Sequence, residues 1–243
     1  MRLRLVGISM MACTGMLLCA GCRNVPGKPG PEAERPTQVL SFALLYKDNC
    51  AACHGENGKE GAAISLANPV YLAVAGVDTI RTVTSKGVAG TLMPAFARSQ
   101  GGMLTDQQIA VLAQGMETEW GKADALGGST APAYASSSAG DSGQGQKAFG
   151  MFCASCHGAD GSGVAGGKMR TGSLVDPAYL ALISDKGLRS LIVAGQPQQG
   201  MPDWRSDLKG AGTRPLNEQE INDIVAWLAS HRTATPGQPY QHP

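Results

Sequence analysis

Cys50-Ala51-Ala52-Cys53-His54 returns about a hundred residues later as Cys153-Ala154-Ser155-Cys156-His157. Two cysteines separated by two residues and followed at once by histidine form the attachment sequence of a c-type haem. The spacing follows from the cofactor. Both thiols add to vinyl groups on one edge of the porphyrin, and one helical turn presents them together. The following histidine then lies beneath the iron, where an imidazole nitrogen serves as proximal ligand. A single copy also suits a redox dithiol or half a zinc site. Two copies in one chain point to two covalently attached haems.

The composition is consistent with buried cofactors. The chain has 243 residues, a net charge of +1 and only 16% charged residues, so nothing points to nucleic acid. Aromatic residues make up 5%, with four Phe, which is thin for two apolar cores built from side chains alone. A porphyrin in each domain supplies the missing apolar surface. The 33 glycines suit backbone running close to a flat ring. Four of the seven cysteines belong to the two motifs, and Cys13, Cys19 and Cys22 lie near the start, leaving none for a structural disulfide.

Met1-Arg2-Leu3-Arg4 is a positive leader, and Leu5 to Ala20 is an uncharged, largely apolar run. Leu17-Leu18-Cys19-Ala20-Gly21-Cys22 resembles the lipobox of bacterial lipoproteins, with Cys19 where leucine is usual. That resemblance implies cleavage before Cys22, acylation of Cys22, and a periplasm-facing protein anchored to the membrane through its lipid. An ordinary cleaved signal or a short uncleaved anchor is the alternative. Loss of Arg2 and Arg4 leaves 18 basic against 19 acidic residues. Residues 22–38 carry prolines at 26, 29, 31 and 36 and read as an extended tether.

The remainder is one module written twice, residues 39–122 and 144–232, with a Ser/Ala/Gly-rich link at 123–143 expected to be flexible and a tail at 233–243. An apolar helical run precedes each motif, and Tyr46 and Phe149 each stand four residues ahead of the first cysteine. Leu66-Ala67-Asn68-Pro69-Val70-Tyr71-Leu72 matches Leu174-Val175-Asp176-Pro177-Ala178-Tyr179-Leu180, with Asn68 and Asp176 as candidate N-caps. Thr79 to Lys86 and Gly187 to Ala194 read as matching short helices. From Pro69 to Met93 and from Pro177 to Met201 the distance is the same 24 residues, and a proline follows each methionine. Thr105–Gln108 and Asn217–Glu220 have capping-box spacing, and each opens a helix with an i, i+3/i+4, i+7 apolar face.

On these features each half resembles a small class I cytochrome c, over about 170 residues in all. The resemblance implies an all-α fold: two tandem cytochrome c-like domains, each a few short helices wrapped round a haem. It also implies Met93 and Met201 as sixth ligands opposite His54 and His157. Met103, Met116 and Met169 compete, but Met116 falls on a helix packing face, Met169 in a variable loop and Met103 outside the Met-Pro context. His231 and His242 read as solvated. Tyr71 and Tyr179 read as packing residues whose hydroxyls can reach a haem carboxylate, and Trp204 is a candidate cover for a haem edge. The family crosses its first and last helices closely, a glycine on one and an aromatic on the other. Gly145 and Trp227 follow this, whereas Phe42 and Gly115 exchange the roles, so Phe42 is expected against Gly115.

With both axial positions filled, outer-sphere electron transfer is expected rather than catalysis. The expected protein is a membrane-tethered dihaem carrier between respiratory-chain donors and acceptors, free-standing or within an oxidase, quinol-oxidising or dehydrogenase complex. A dihaem peroxidase is the enzymatic alternative. It needs an open iron and distal acid–base groups, and no Glu or His lies near Met93 or Met201 in the sequence.

Overall fold

A computed structural model describes residues 34–166, 170–205 and 214–233. The expected export leader, Cys22, most of the expected tether, Met169 and His242 lie outside the described residues. The chain divides after Gln38, and Val39–Pro243 form one compact unit. Among the described residues the architecture is all-α, with only isolated β-bridges and no strand.

The first module contains α1 (Phe42–Asn49), α2 (Ala51–His54), α3 (Pro69–Lys86) and α4 (Asp106–Trp120). The second contains α5 (Ser142–Phe152), α6 (Ala154–His157), α7 (Pro177–Leu182), α8 (Asp185–Ala194) and α9 (Glu218–Ala229). The helix starts follow the sequence signals. Asn68 Oδ1 accepts from Val70 N and Tyr71 N at 2.9 and 3.2 Å, and Asp176 Oδ1 accepts from Tyr179 N at 2.9 Å, each with proline at the first helical position. Both capping boxes are complete, Thr105 with Gln108 and Asn217 with Glu220. The short-helix expectation holds in both modules. Asp185–Ala194 is a helix of its own in the second, and in the first Gly76, with φ 71° and ψ 158°, breaks α3 so that a separate short helix runs on to Lys86.

The terminal helices cross as the apolar patterns require. A Cβ added to Gly115 of α4 would lie 2.2 Å from Phe42 Cδ2 of α1. One added to Gly145 of α5 would lie 1.9 Å from the Asp223 carbonyl oxygen and 2.8 Å from Trp227 Cβ of α9. Large meets small in both crossings, with the partners exchanged. Sequence reasoning missed a further indole. Trp120, five residues beyond Gly115, packs edge-on to Tyr46 at 5.0 Å and sits over Gly58. Trp227 packs on Phe149 at 4.4 Å and sits over Gly161. The two modules bring a tryptophan to equivalent places from different turns of the last helix.

The link differs from expectation in its second half. It is irregular but tied down: Ala133 N donates to Glu218, Asp141 N to Asp223 Oδ1 at 2.7 Å, and Gln219 Nε2 to the Ala139 carbonyl at 3.1 Å. A segment without apolar periodicity holds its place through polar bonds, which hydrophobic patterning does not reveal. The modules also touch directly. Asn68 Nδ2 donates to the carbonyls of Ala194 and Gly195 at 2.9 and 3.1 Å, in a fully buried position. Ala194 joins the first module's core, and Val70 and Val74 pack against the second.

Candidate haem sites

All eight residues expected to hold haem line one connected cavity of about 780 Å³: Cys50, Cys53, His54 and Met93 with Cys153, Cys156, His157 and Met201. The local folding is the same in both modules. The last turn of α1 or α5 ends at the first cysteine, which caps a single turn carrying the second cysteine and the histidine. Burial pushes the Cys50 and Cys153 thiols up to about 12, helped by the second cysteine of each pair, so both are neutral thiols before attachment.

Burial likewise holds both imidazoles below the ordinary histidine range, which favours the neutral form that can ligate iron. His54 is further oriented. Its Nδ1 lies 2.7 Å from the Ile64 carbonyl oxygen, and a carbonyl only accepts, so Nδ1 carries the proton. The lone pair is then on Nε2, as a metal-bound imidazole requires. His157 differs: its Nδ1 is buried with no hydrogen-bond partner among the described residues.

The methionine loops share one construction. Each follows a helix that ends at a glycine, Gly87 or Gly195, whose Cα faces the loop's backbone too closely for a Cβ. Val88 N donates to the Met93 carbonyl at 3.0 Å, and Gln196 N to the Met201 carbonyl at 2.8 Å. Thr91 Oγ1 additionally accepts from Met93 N at 3.2 Å. Met103 is 80% exposed and lies outside this cavity. Met116 is buried on the packing face of α4 and forms part of the cavity wall. His231 bonds the Trp227 carbonyl at 2.9 Å and its ring packs on that indole, away from the cavity. Trp204 is buried and lines the cavity, as does Phe96 at the matching place in the first module.

The residues present fit a porphyrin. Paired thiols and a buried, tautomer-fixed imidazole stand on a cavity whose remaining wall is chiefly apolar, with a Met-Pro loop in each module. The family comparisons agree. Residues 142–232 match the model described as cytochrome c, and residues 37–114 match that of cytochrome c oxidase, cbb3-type, subunit III. The chain is a dihaem c-type cytochrome. Two cytochrome c domains stand in tandem, and each binds a covalently attached haem.

The dihaem cytochrome is 28% identical over 150 residues to the cbb3-type cytochrome c oxidase subunit CcoP of Azospirillum sp. (strain B510). The match takes in 55% of this chain and 46% of that relative, so the cytochrome spans less than half of the relative's length. Among solved structures it is similar to a chain of the reducing HAO-like protein complex of Kuenenia stuttgartiensis. The TM-score is 0.44 at 17% identity, covering 82% of this chain and 100% of that one. Among the described residues no helix is long and apolar enough to cross a membrane.

Proposed function

We propose that this dihaem cytochrome passes single electrons between respiratory-chain partners through two His/Met-ligated haems, as the cytochrome subunit of a membrane complex or as a carrier docking to one. The observation that carries the reading is the pairing, in each module, of a CxxCH turn with a Met-Pro loop on the same cavity wall. Haem iron supplies a one-electron Fe(III)/Fe(II) couple when bound.

The chain's residues set how that couple is used. His54 and His157 supply neutral imidazole and Met93 and Met201 supply thioether sulfur, a soft, weakly basic ligand that favours Fe(II) and raises the potential. With haem bound, His54 and Met93 would hold one iron and His157 and Met201 the other, leaving no site for a substrate, which would favour electron transfer over substrate activation. Apolar wall residues such as Leu66, Ile80 and Trp204 exclude water and reduce the solvent rearrangement that accompanies a change of charge. The similarity to an oxidase subunit supports a partner that belongs to an oxidase, a quinol-oxidising complex or a dehydrogenase. Cys22 is proposed as the acylated N-terminus, holding the cytochrome on the periplasmic side of a membrane. The domain limits proposed with it are 39–122 and 144–232, behind a signal at 1–21 and a tether at 22–38.

Gently solubilised membranes, run on a native gel with haem staining and mass spectrometry of the stained band, test the partner assignment. Migration with oxidase, quinol-oxidising or dehydrogenase subunits is expected of a complex subunit, and migration alone of a carrier. Co-migration with none of them, together with failure of any such complex to oxidise or reduce the cytochrome, contradicts the respiratory role. In the same membranes Cys22→Ser is expected to release the protein with both haems attached.

A further inference from the structure

Covalent attachment and axial ligation leave one feature of the cavity unused. Arg189 of α8 is buried, and its guanidinium makes three bonds: to the Ala133 carbonyl at 2.8 Å, to Asn222 Oδ1 at 2.6 Å and to the Glu218 carboxylate at 2.5 Å. Ala133 N donates to that same carboxylate at 3.3 Å. Both backbone polar groups of one link residue are therefore held, and the next residue, Tyr134, is carried onto the cavity wall. Its ring packs edge-on to Tyr71 at 6.4 Å and lies 5.8 Å from Lys186 Nζ. Tyr71, Tyr134, Lys186 and Ser190 all line the cavity.

The charge balance of the wall points to an anionic occupant at this place. The acidic residue on the wall, Asp203, is already bound by the Arg205 guanidinium at 2.6 and 3.0 Å. Lys186 and Arg170 are the wall's cations, and Lys186 has no acidic partner among the described residues. A haem brings two carboxylates, the charged groups of its periphery, into a cavity that is otherwise apolar. Those carboxylates need hydrogen-bond donors and counter-charge.

We propose that Tyr134, with Tyr71, Ser190 and Lys186, forms a haem-carboxylate clamp, so that the link between the modules is itself part of the haem site. Tyr71 comes from the first module, Ser190 and Lys186 come from the second, and Tyr134 comes from between them. A carboxylate held there fastens the two modules together. The clamp also sets a potential. Donors and positive charge on a haem carboxylate offset its negative charge near the iron, and their loss favours Fe(III).

The test is a potentiometric titration of the full-length protein carrying both haems, as wild type, Tyr134→Phe and Lys186→Gln, with resonance Raman of the haem carboxylate modes. Tyr134→Phe keeps the ring and removes the hydroxyl, and Lys186 is exposed, so both variants are expected to fold and retain haem. Both are expected to lower the midpoint potential of the same haem and to shift its carboxylate modes. Lys147→Gln, an equal change of charge on α5 away from the cavity, is expected to leave potentials and modes unchanged. Unchanged or raised potentials in both clamp variants overturn the proposal. A shift with Lys186→Gln but none with Tyr134→Phe overturns the role of the link tyrosine. An equal shift with Lys147→Gln reduces the effect to net charge and overturns the clamp.

Discussion

Asn68 and Asp176 hold aligned positions in the two modules, and both cap the helix that follows. Their remaining atoms face different surroundings. Asp176 is exposed and only caps. Asn68 is buried, caps through Oδ1, and spends both Nδ2 protons on the Ala194 and Gly195 carbonyls at the end of α8. An amide can accept and donate at once, whereas a carboxylate only accepts. The first module's cap is therefore also the seam to the second, and the second module's cap has no such duty. The histidines differ in the same sense: His54 is oriented by Ile64, and His157 has no partner for Nδ1 among the described residues. Two copies of one module have thus become unequal. The first is built into its neighbour.

Asn68→Asp breaks this comparison most sharply. The cap acceptor survives, but a carboxylate is left against two carbonyl oxygens in a buried place, and the expected loss is about 3 kcal/mol or more. Asp176→Asn is expected to change stability by less than about 0.5 kcal/mol. Denaturant unfolding of the two variants measures the difference, and equal effects would show that the seam contributes little.

The helix crossings give the next largest effects. Gly145→Ala drives a methyl into the Asp223 carbonyl, backbone that cannot turn aside, at an expected cost of about 3 kcal/mol. Gly115→Ala meets the ring of Phe42, a side chain that can shift, and is expected to cost about 1 kcal/mol. Thermal unfolding of both ranks them. A larger loss at Gly115 would mean that Phe42 is held as firmly as backbone.

The smallest effect lies in the capping boxes. Gln108 closes the first with a neutral amide, and Glu220 closes the second with a carboxylate. Arg214 bonded to Glu220 holds that carboxyl below its ordinary range, with further help from the Asn217 backbone N–H. A carboxyl whose folded pKa is depressed adds stability above its unfolded pKa, and that stability is lost as pH falls through the folded value. Glu220→Gln is expected to flatten the acid limb of the stability–pH curve by up to about 1 kcal/mol. Gln108→Glu is not its mirror image. Gln108 is buried and its Nε2 donates to the Val39 carbonyl at 3.1 Å, so a carboxylate there is disfavoured, and the loss of stability is expected to be greatest at neutral pH and to ease into the acid range. Melting temperatures followed from neutral pH into the acid range check the sign.

Much of this was legible in the residues because the constraints were local. The CxxCH turns, the equal Pro-to-Met spacing and the two capping boxes lie within short stretches of chain, whereas the exchange of Phe42 with Gly115 joins residues far apart in the sequence and was legible through the resemblance to the cytochrome c helix crossing. What escaped was long-range and polar. Asn68 carried one hint, an amide aligned with a carboxylate, but its acceptors lie more than a hundred residues away. Arg189 and Tyr134 carried none, since a link without apolar periodicity gives no sign of the bonds that pin it. Trp120 reaches the place of Trp227 from a shifted turn of the helix, so alignment by position alone overlooks it.

Ligation of each iron by one methionine is the assignment on which the electron-transfer role rests. The methionine-to-iron charge-transfer band of the fully oxidised protein, recorded for wild type, Met93→Ala, Met201→Ala and the double variant, measures it most directly. Each single change is expected to remove one haem's share of the band, with that haem's potential lowered, and the double change to abolish the band with both haems still attached. A band that survives either single replacement at full strength would place another ligand on that iron and contradict the assignment.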